Sequence, residues 1–201
     1  MKPMMKPKDR LDRSLSGTFP ASDPLPRGPR PSPIPAARCQ LELDQPAPHL
    51  VLPTTANALW SLHEQSPSRY TLMIAYRGYD SRLCRAYLES LANHAERLRD
   101  TGIEPMVFSA DGPDEAVRAQ RRWGLRDVVV AYGIGEDSAR RWGLFTRTGV
   151  DGTLVVEPGL FLVGRDHVLR YASLQSSPFG RPRLATLTAA LNDDTAMNLP
   201  I

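Results

Sequence analysis

The stretch YTLMIAYRGYDSRLC, residues 70–84, decides the fold of this 201-residue chain. Its first seven residues, 70–76, form a continuous apolar run of strand length, which is typical of a parallel strand buried on both faces. A turn follows at 77–80, and Ser81 is a favourable N-cap residue. The stretch therefore predicts a buried strand that leads through a short turn into a helix.

The alternation of strands and helices continues towards the C-terminus. A helix is predicted over 82–100, because apolar residues recur there on one stripe and Thr101-Gly102 can end it. The later pattern predicts strands at 103–109, 127–131, 159–163 and 168–173, and helices at 114–123, 136–142 and 183–191. This order indicates an α/β fold with a mostly parallel central sheet, and the hairpin between the last two strands indicates an antiparallel edge.

The N-terminal part of the chain has a different composition from the rest. Of the 19 prolines, 12 lie at or before Pro53, and proline opposes both helices and central strands. We therefore predict a disordered Pro/Arg-rich extension over 1–45, a folded domain over 46–192 and a short tail over 193–201.

The distribution of charge restricts the classes of partner. Residues 1–40 carry a net charge of +5, because eight basic side chains oppose three acidic ones, so the remainder of the +3 chain is at −2. A folded part without a basic excess argues against nucleic acid as a partner. No apolar run approaches the roughly 18 residues that span a bilayer, and the basic N-terminus lacks the apolar run of a secretory signal. We expect a cytoplasmic protein without membrane contact.

The helix start at Ser81 gives the chain its one candidate for chemistry. Cys84 falls at the third helical position, where the Ser81 hydroxyl can accept a hydrogen bond from its N–H. The positive end of the helix and nearby arginines, Arg85 and Arg77, are conditions that favour a thiolate near neutral pH. The alternative is that Cys84 is a small apolar residue on the buried stripe, as most buried cysteines are.

Other candidate groups carry weaker signals. Cys39 is either a thiol that resolves oxidised Cys84 or, as we favour, an unpaired thiol in the proline-rich arm. The histidines are scattered without zinc-ligand spacing, and no dinucleotide or phosphate-loop motif is present. We therefore expect no metal and no cofactor. The histidines are His49, His63, His94 and His167.

Motifs of a known family occur in order from residue 46 to 192. They are PAPHLVLP at 46–53, the strand ending in YRG at 76–78, SRLC at 81–84, MVFSAD at 106–111, WGL at 142–144, EPGLFLV at 157–163 and YASLQSSPF at 171–179. On these motifs the chain resembles the peroxiredoxin-like branch of the alkyl hydroperoxide reductase and thiol-specific antioxidant (AhpC/TSA) family. This resemblance implies a thioredoxin-like fold.

The resemblance also implies a set of site residues. These are Cys84, Ser81, Arg85 and Arg77, with Tyr76 and Pro158 near the site. Three positions depart from the family: Ser81 replaces the first cysteine of a Cys-x-x-Cys pair, Arg77 occupies the proline position of the peroxiredoxin pattern Pro-x-x-x-Ser/Thr-x-x-Cys, and Pro158 replaces an arginine that stabilises the thiolate in peroxiredoxins. In this fold a proline before the strand is commonly cis and lies against the cysteine, whereas a trans proline at a strand start is the ordinary alternative.

The expected function is that of a peroxiredoxin-like thiol oxidoreductase. Its single cysteine would reduce a small peroxide or a disulfide, and an external thioredoxin- or glutathione-like thiol would regenerate it. A homodimer is compatible with this reading. The alternative is a catalytically weak or inactive binding module on the same fold. An exposed thiolate favours the enzyme, and a fully buried thiol favours the module.

Deletion of residues 1–40 is expected to leave the cooperative unfolding of the remaining chain intact. These residues lack the apolar content that offsets the entropy of ordering. Urea unfolding followed by circular dichroism measures this, and a truncated chain without a cooperative transition would contradict the assignment of the domain.

Overall fold

The computed structural model of the protein describes residues 41–149, 151–177 and 179–196. The strands of this part are β1 (Val51–Pro53), β2 (Leu59–Ser61), β3 (Tyr70–Ala75), β4 (Ile103–Phe108), β5 (Val129–Ala131), β6 (Thr146–Thr148), β7 (Leu154–Val156), β8 (Gly159–Gly164) and β9 (Leu169–Leu174). The helices are α1 (Arg82–Asp100), α2 (Pro113–Arg122), α3 (Glu136–Arg141) and α4 (Leu184–Ala196). None of the helices described is both long and apolar enough to cross a membrane.

Five strands form the central sheet in the order β5-β4-β3-β8-β9. β3 pairs in parallel with β4 and antiparallel with β8, so it occupies the centre of the sheet. β5 extends the parallel half, and β9 extends the antiparallel half through the predicted hairpin. The α/β class and the antiparallel edge are confirmed, and the sheet as a whole is mixed.

The central strand is buried on both faces, as its continuous apolar run predicts. Leu72 and Ile74 face a core that also contains apolar residues of α1, α2 and α4. Met73 and Ala75 face the other core, which is built with α3 and the segment before β3. Because all four side chains are essentially inaccessible, both layers of the domain depend on this strand.

Two small hairpins have no counterpart in the sequence-based prediction. β1 pairs with β2, and β6 pairs with β7, over three residues each. Strands of three residues are too short to show a periodicity of two. The β1–β2 hairpin also leaves Leu59 72% exposed, so its pattern is not that of a half-buried strand.

The phrase Arg-Arg-Trp-Gly-Leu occurs twice, at 121–125 and 140–144, and ends a helix in both places. Trp123 and Trp142 occupy the C-cap positions of α2 and α3, and both rings are buried. The glycines that follow, Gly124 and Gly143, have φ of 71° and 64°, which glycine adopts without a Cβ penalty. The arginine pairs therefore end helices, with their charges opposing the helix dipole.

Residues just before the predicted start at residue 46 also make contacts with the domain. The Asp44 N–H donates to the Leu169 carbonyl, and the Leu169 N–H donates to Gln45, so this segment adds to the edge of β9. At the other end, α4 continues past the predicted residue 191 to Ala196.

Replacing Leu91 with alanine is expected to lower the free energy of unfolding by about 2–5 kcal/mol, because its side chain is fully buried between α1 and the sheet. Leu83→Ala on the same helix is the matched control. Its side chain is 43% exposed, so a loss below about 1 kcal/mol is expected. Equal losses in urea unfolding would show that α1 does not pack as described.

Candidate thiol site

The N-terminus of α1 has the geometry that the sequence predicts. The Ser81 hydroxyl accepts a hydrogen bond from the Cys84 N–H at 3.3 Å, and the Ser81 carbonyl accepts from the Arg85 N–H at 2.9 Å. The cap places Cys84 in the first turn, on the stripe that α1 turns towards the sheet. Its side chain has no exposed surface.

Two donors converge on the sulfur of Cys84. The backbone N–H of Arg77, at the end of β3, lies 3.4 Å from Sγ. The guanidinium of Arg181, from the segment before α4, donates through Nη2 at 3.0 Å. A sulfur atom that accepts from a backbone amide and a guanidinium is surrounded as a thiolate would be.

Arg181 is held by an aromatic ring and a short backbone contact. Its guanidinium carbon lies 4.9 Å from the centroid of the Tyr87 ring, a cation–π distance. The Tyr87 hydroxyl donates to the Pro182 carbonyl at 2.9 Å, and burial raises the pKa of Tyr87 to about 12, so this donor keeps its proton at neutral pH. Tyr87 thus fixes both the side chain of Arg181 and the backbone beside it.

No carboxylate of the described residues pairs with Arg181. Its Nε and Nη1 atoms are buried and have no hydrogen-bond acceptor there, and its one hydrogen-bonded contact is the Cys84 sulfur. A buried cation is costly unless a negative charge lies beside it. Among the described groups, the sulfur of Cys84 is the acceptor that this guanidinium contacts.

The side chains of the two predicted arginines, Arg77 and Arg85, contact other groups and not the sulfur. Arg77 reaches towards Glu157, with Nε 3.9 Å from Oε1, so it serves Cys84 through its backbone. Arg85 forms an exposed ion pair with Glu89 at 2.7 Å. Such a surface pair is worth little in energy.

Pro158 begins the strand beside the end of β3. The Glu157–Pro158 peptide bond is trans, and the Pro158 carbonyl accepts from the Gln175 N–H at 2.9 Å. The next residue, Gly159, pairs with Ala75 of β3. This is the ordinary placement of a proline at a strand start, one of the two alternatives that the sequence leaves open.

Tyr76 lies beneath the site rather than at its surface. The ring is completely buried and packs edge-to-face on Trp123, with centroids 5.7 Å apart. Burial raises the pKa of Tyr76 well above its ordinary range, so the phenol is neutral. Ser109 lies close enough to oppose that shift, yet no acceptor or donor of the described residues is aligned for a hydrogen bond with the hydroxyl.

The turn between β3 and α1 is clamped by Asp111, which follows β4. Its carboxylate accepts from the Tyr79 N–H at 2.9 Å. Gly78 has φ of 150°, and a Cβ there would lie 2.8 Å from Asp111 Oδ1, so the glycine permits this close approach. On the other side, the Tyr79 ring stacks on Trp123 with centroids 5.8 Å apart.

Burial raises the pKa of Asp111 from 3.8 to about 6. Hydrogen bonds from Tyr79 and Ser109 oppose this increase, and the negative charges of Glu115 and Asp80 add to it. The clamp on the turn before Cys84 therefore changes protonation in the mildly acidic range.

Three of the four histidines come together, which corrects their reading as scattered. The ring of His63 stacks on that of His49 at 5.1 Å and lies 5.2 Å from that of His167. Desolvation and the two neighbouring rings lower the pKa of His63. In the part of the chain that the structure describes, no group of three His, Cys, Asp or Glu side chains is arranged to hold a metal ion.

A surface cavity of about 170 Å³ lies away from the thiol. Thr71 and Glu104, near the starts of β3 and β4, contribute to its lining together with Trp60. Cys84 follows the opposite end of β3, so this cavity plays no part in the site.

Sequence reasoning missed Arg181 and Glu157 as members of the site. Arg181 is 97 residues from Cys84 along the chain, and no periodicity connects them. The available signal was an arginine beside Pro182, immediately before the last helix. Cys39, the proposed resolving thiol, lies outside the described residues.

The fold and the site define a class: a thioredoxin-like domain with a cysteine in the first turn of the helix that follows the central strand. The model of the AhpC/TSA family matches residues 43–172. The chain therefore belongs to the AhpC/TSA family, as its motifs predict.

Solved structures of similar fold carry related descriptions. A peroxiredoxin-like protein from Aquifex aeolicus has a TM-score of 0.64 and 15% identity, over 76% of this chain and 87% of the other. The peroxidoxin BcpB from Mycobacterium tuberculosis has a TM-score of 0.64 and 16% identity, over 79% of this chain and 99% of the other. A thiol peroxidase from Chromobacterium violaceum has a TM-score of 0.62 and 17% identity, over 77% of this chain and 88% of the other. No curated protein matches the sequence significantly.

Replacement of Asp111 with asparagine is expected to remove a pH dependence of stability. Folding raises the pKa of Asp111, so protonation of this carboxyl group stabilises the folded state. This contribution to the free energy of unfolding is fully present below pH 3.8 and is lost as the pH rises through about 6. The free energy of unfolding of Asp111→Asn relative to the parent should thus rise by on the order of 2 kcal/mol between pH 4 and 7.

Urea unfolding at a series of pH values measures this difference. Leu83→Ala, at an exposed position of α1, changes no titratable group; it is the control and should give a difference that does not change with pH. A pH-independent difference for Asp111→Asn would contradict the burial of this carboxyl group.

Proposed function

We propose that this protein is a peroxiredoxin-like thiol oxidoreductase that acts through Cys84. Membership of the AhpC/TSA family supports this class of chemistry. The observation that carries the proposal is the contact of Arg181 Nη2 with Cys84 Sγ at 3.0 Å, made by a guanidinium without a carboxylate partner among the described residues. This contact supports a reactive thiolate and supplies the positive charge that Pro158 does not.

The chemistry requires no cofactor. The Cys84 thiolate attacks one oxygen of a peroxide ROOH; a sulfur–oxygen bond forms, the oxygen–oxygen bond breaks, and the alkoxide takes a proton to leave as ROH. The sulfenic acid then condenses with an external thiol, which releases water and leaves a mixed disulfide. A second external thiol then attacks the external sulfur of this mixed disulfide; a disulfide between the two external thiols forms, the bond to Cys84 Sγ breaks, and the Cys84 thiolate is restored. A thioredoxin- or glutathione-like reductant of a reducing cytoplasm suits this cycle.

The site residues have different proposed roles, which follow from their positions. Ser81 orders the helix start, the Arg77 N–H and the Arg181 guanidinium stabilise negative charge on Sγ, and Arg85 adds a more distant positive charge. Tyr76 and Pro158 shape the floor and the side of the site. Because Sγ has no exposed surface, the site has to open before a peroxide can reach it.

The complete burial of Cys84 also favours a second candidate, a binding module with an inert thiol. In that case Arg181 closes the core and the family fold serves only as an interaction surface. The two candidates differ in whether folded protein reacts at Cys84.

Arg181→Met is expected to lower the rate of peroxide consumption about tenfold or more, since a hydrogen bond to a charged group is worth about 1.5–3 kcal/mol. Cys84→Ser should abolish the reaction, and Cys39→Ser should change it little. The assay follows an organic hydroperoxide with dithiothreitol as the reductant.

The matched control is Arg183→Met, two residues from Arg181 and exposed to solvent. It should retain the parental rate. A folded parent protein that neither consumes peroxide nor exchanges with disulfides, and whose Cys84 is alkylated only on unfolding, would favour the binding module.

A further inference from the structure

The residue before Pro158 is an unusual group for the interior of this domain. Glu157 has no exposed surface, and its backbone N–H donates to the Phe145 carbonyl. Arg147 Nη2 lies 2.6 Å from its Oε1, yet neither carboxylate oxygen has an aligned hydrogen-bond donor among the described residues. A buried carboxylate is costly unless cations lie beside it, and Arg77 and Arg147 are the two that approach it.

Each of these arginines is connected to one of the two segments that donate a hydrogen bond to Cys84 Sγ. Arg77 places its side chain 3.9 Å from Glu157, and its own backbone N–H donates to Sγ. Arg147 uses the same Nη2 atom that approaches Glu157 to donate to the Ser176 carbonyl at 3.3 Å. Ser176 lies five residues before Arg181, the second donor.

The arginines themselves are not buried. The side chains of Arg77 and Arg147 are 40% and 51% exposed, whereas that of Glu157 is at 0%. Long, half-exposed side chains are held in one conformation only at an entropic cost, so a fixed internal partner is needed to keep them in place. Glu157 is the common partner of both.

We propose that Glu157 is a positioning residue of the thiol site, which holds Arg77 and Arg147 and through them the two segments that donate to Cys84. Glu157 does not touch the sulfur. The proposal rests on the proposed reactivity of Cys84. It adds the group that keeps the two hydrogen-bond donors of Cys84 Sγ in position.

The proposal makes a prediction opposite in sign to that of simple electrostatics. Glu157→Gln removes a negative charge, which by Coulomb's law alone moves the pH profile of Cys84 alkylation to lower pH. Loss of positioning frees the segment of Arg181 and moves the profile to higher pH. Arg147→Lys keeps the charge but carries it on a shorter stem without the Nη2 atom that contacts both Glu157 and Ser176, so charge alone predicts no shift and positioning predicts a shift upward.

The experiment measures alkylation of Cys84 in the full-length protein by iodoacetamide from pH 5 to 10, with the site assigned by peptide mass spectrometry. We expect both variants to shift the profile upward by about half a pH unit, which is about threefold in rate below the midpoint. Glu136→Gln and Arg140→Lys alter an exposed ion pair on α3 and should leave the profile unchanged. A downward shift for Glu157→Gln, or no shift for Arg147→Lys, overturns the proposal.

Amide hydrogen exchange in residues 174–176, where the Gln175 N–H donates to the Pro158 carbonyl, gives a second readout that does not require a reactive thiol. Both variants should exchange faster in this segment and at the parental rate in β4. Unchanged exchange overturns the positioning role, even if Cys84 proves inert. Faster exchange with an inert Cys84 supports the positioning role and rejects the proposed function, so the two can fail separately. If Glu157→Gln does not fold, Arg147→Lys at its half-exposed position decides the outcome.

Discussion

The burial of β3 on both faces is the constraint on which the rest of this structure depends. β3 pairs with a strand on each edge and packs against a core on each face. The segments that follow and precede it therefore start from the two ends of a fully enclosed strand. At its carboxyl end the chain turns through residues 77–80 and starts α1. Because α1 packs back on the same sheet, the first turn of this helix is carried into the interior together with Cys84.

That geometry creates an electrostatic situation that the surrounding residues complete. The helix start and the Arg77 N–H direct positive partial charge at the sulfur, and Arg181 adds a full charge from a distant part of the chain. Tyr87 supports the guanidinium with its ring and with its hydroxyl on Pro182. In a low-dielectric environment such interactions are stronger than at a surface, so the enclosure of the site strengthens the contact between the guanidinium and the sulfur.

The departures from the family pattern also become intelligible in these terms. The resemblance implies that Pro158 stands at the position of an arginine in peroxiredoxins, and in this protein the guanidinium of Arg181 contacts the sulfur. Beside Pro158, Glu157 brings a buried negative charge that draws Arg77 and Arg147 inward. The charges of the site are thus distributed differently over the same backbone.

The sequence by itself determined the central strand, the helix start at Ser81, the late hairpin and the two Trp-Gly helix ends, because each is specified by neighbouring residues through periodicity, capping or turn chemistry. It also determined the family, from the order of short motifs. Tertiary structure alone decided that Cys84 is enclosed, that Arg181 rather than the side chains of Arg77 or Arg85 reaches the sulfur, and that three histidines stack. These contacts join segments that are distant along the chain, and their partners are chosen by packing in three dimensions, which no local pattern records.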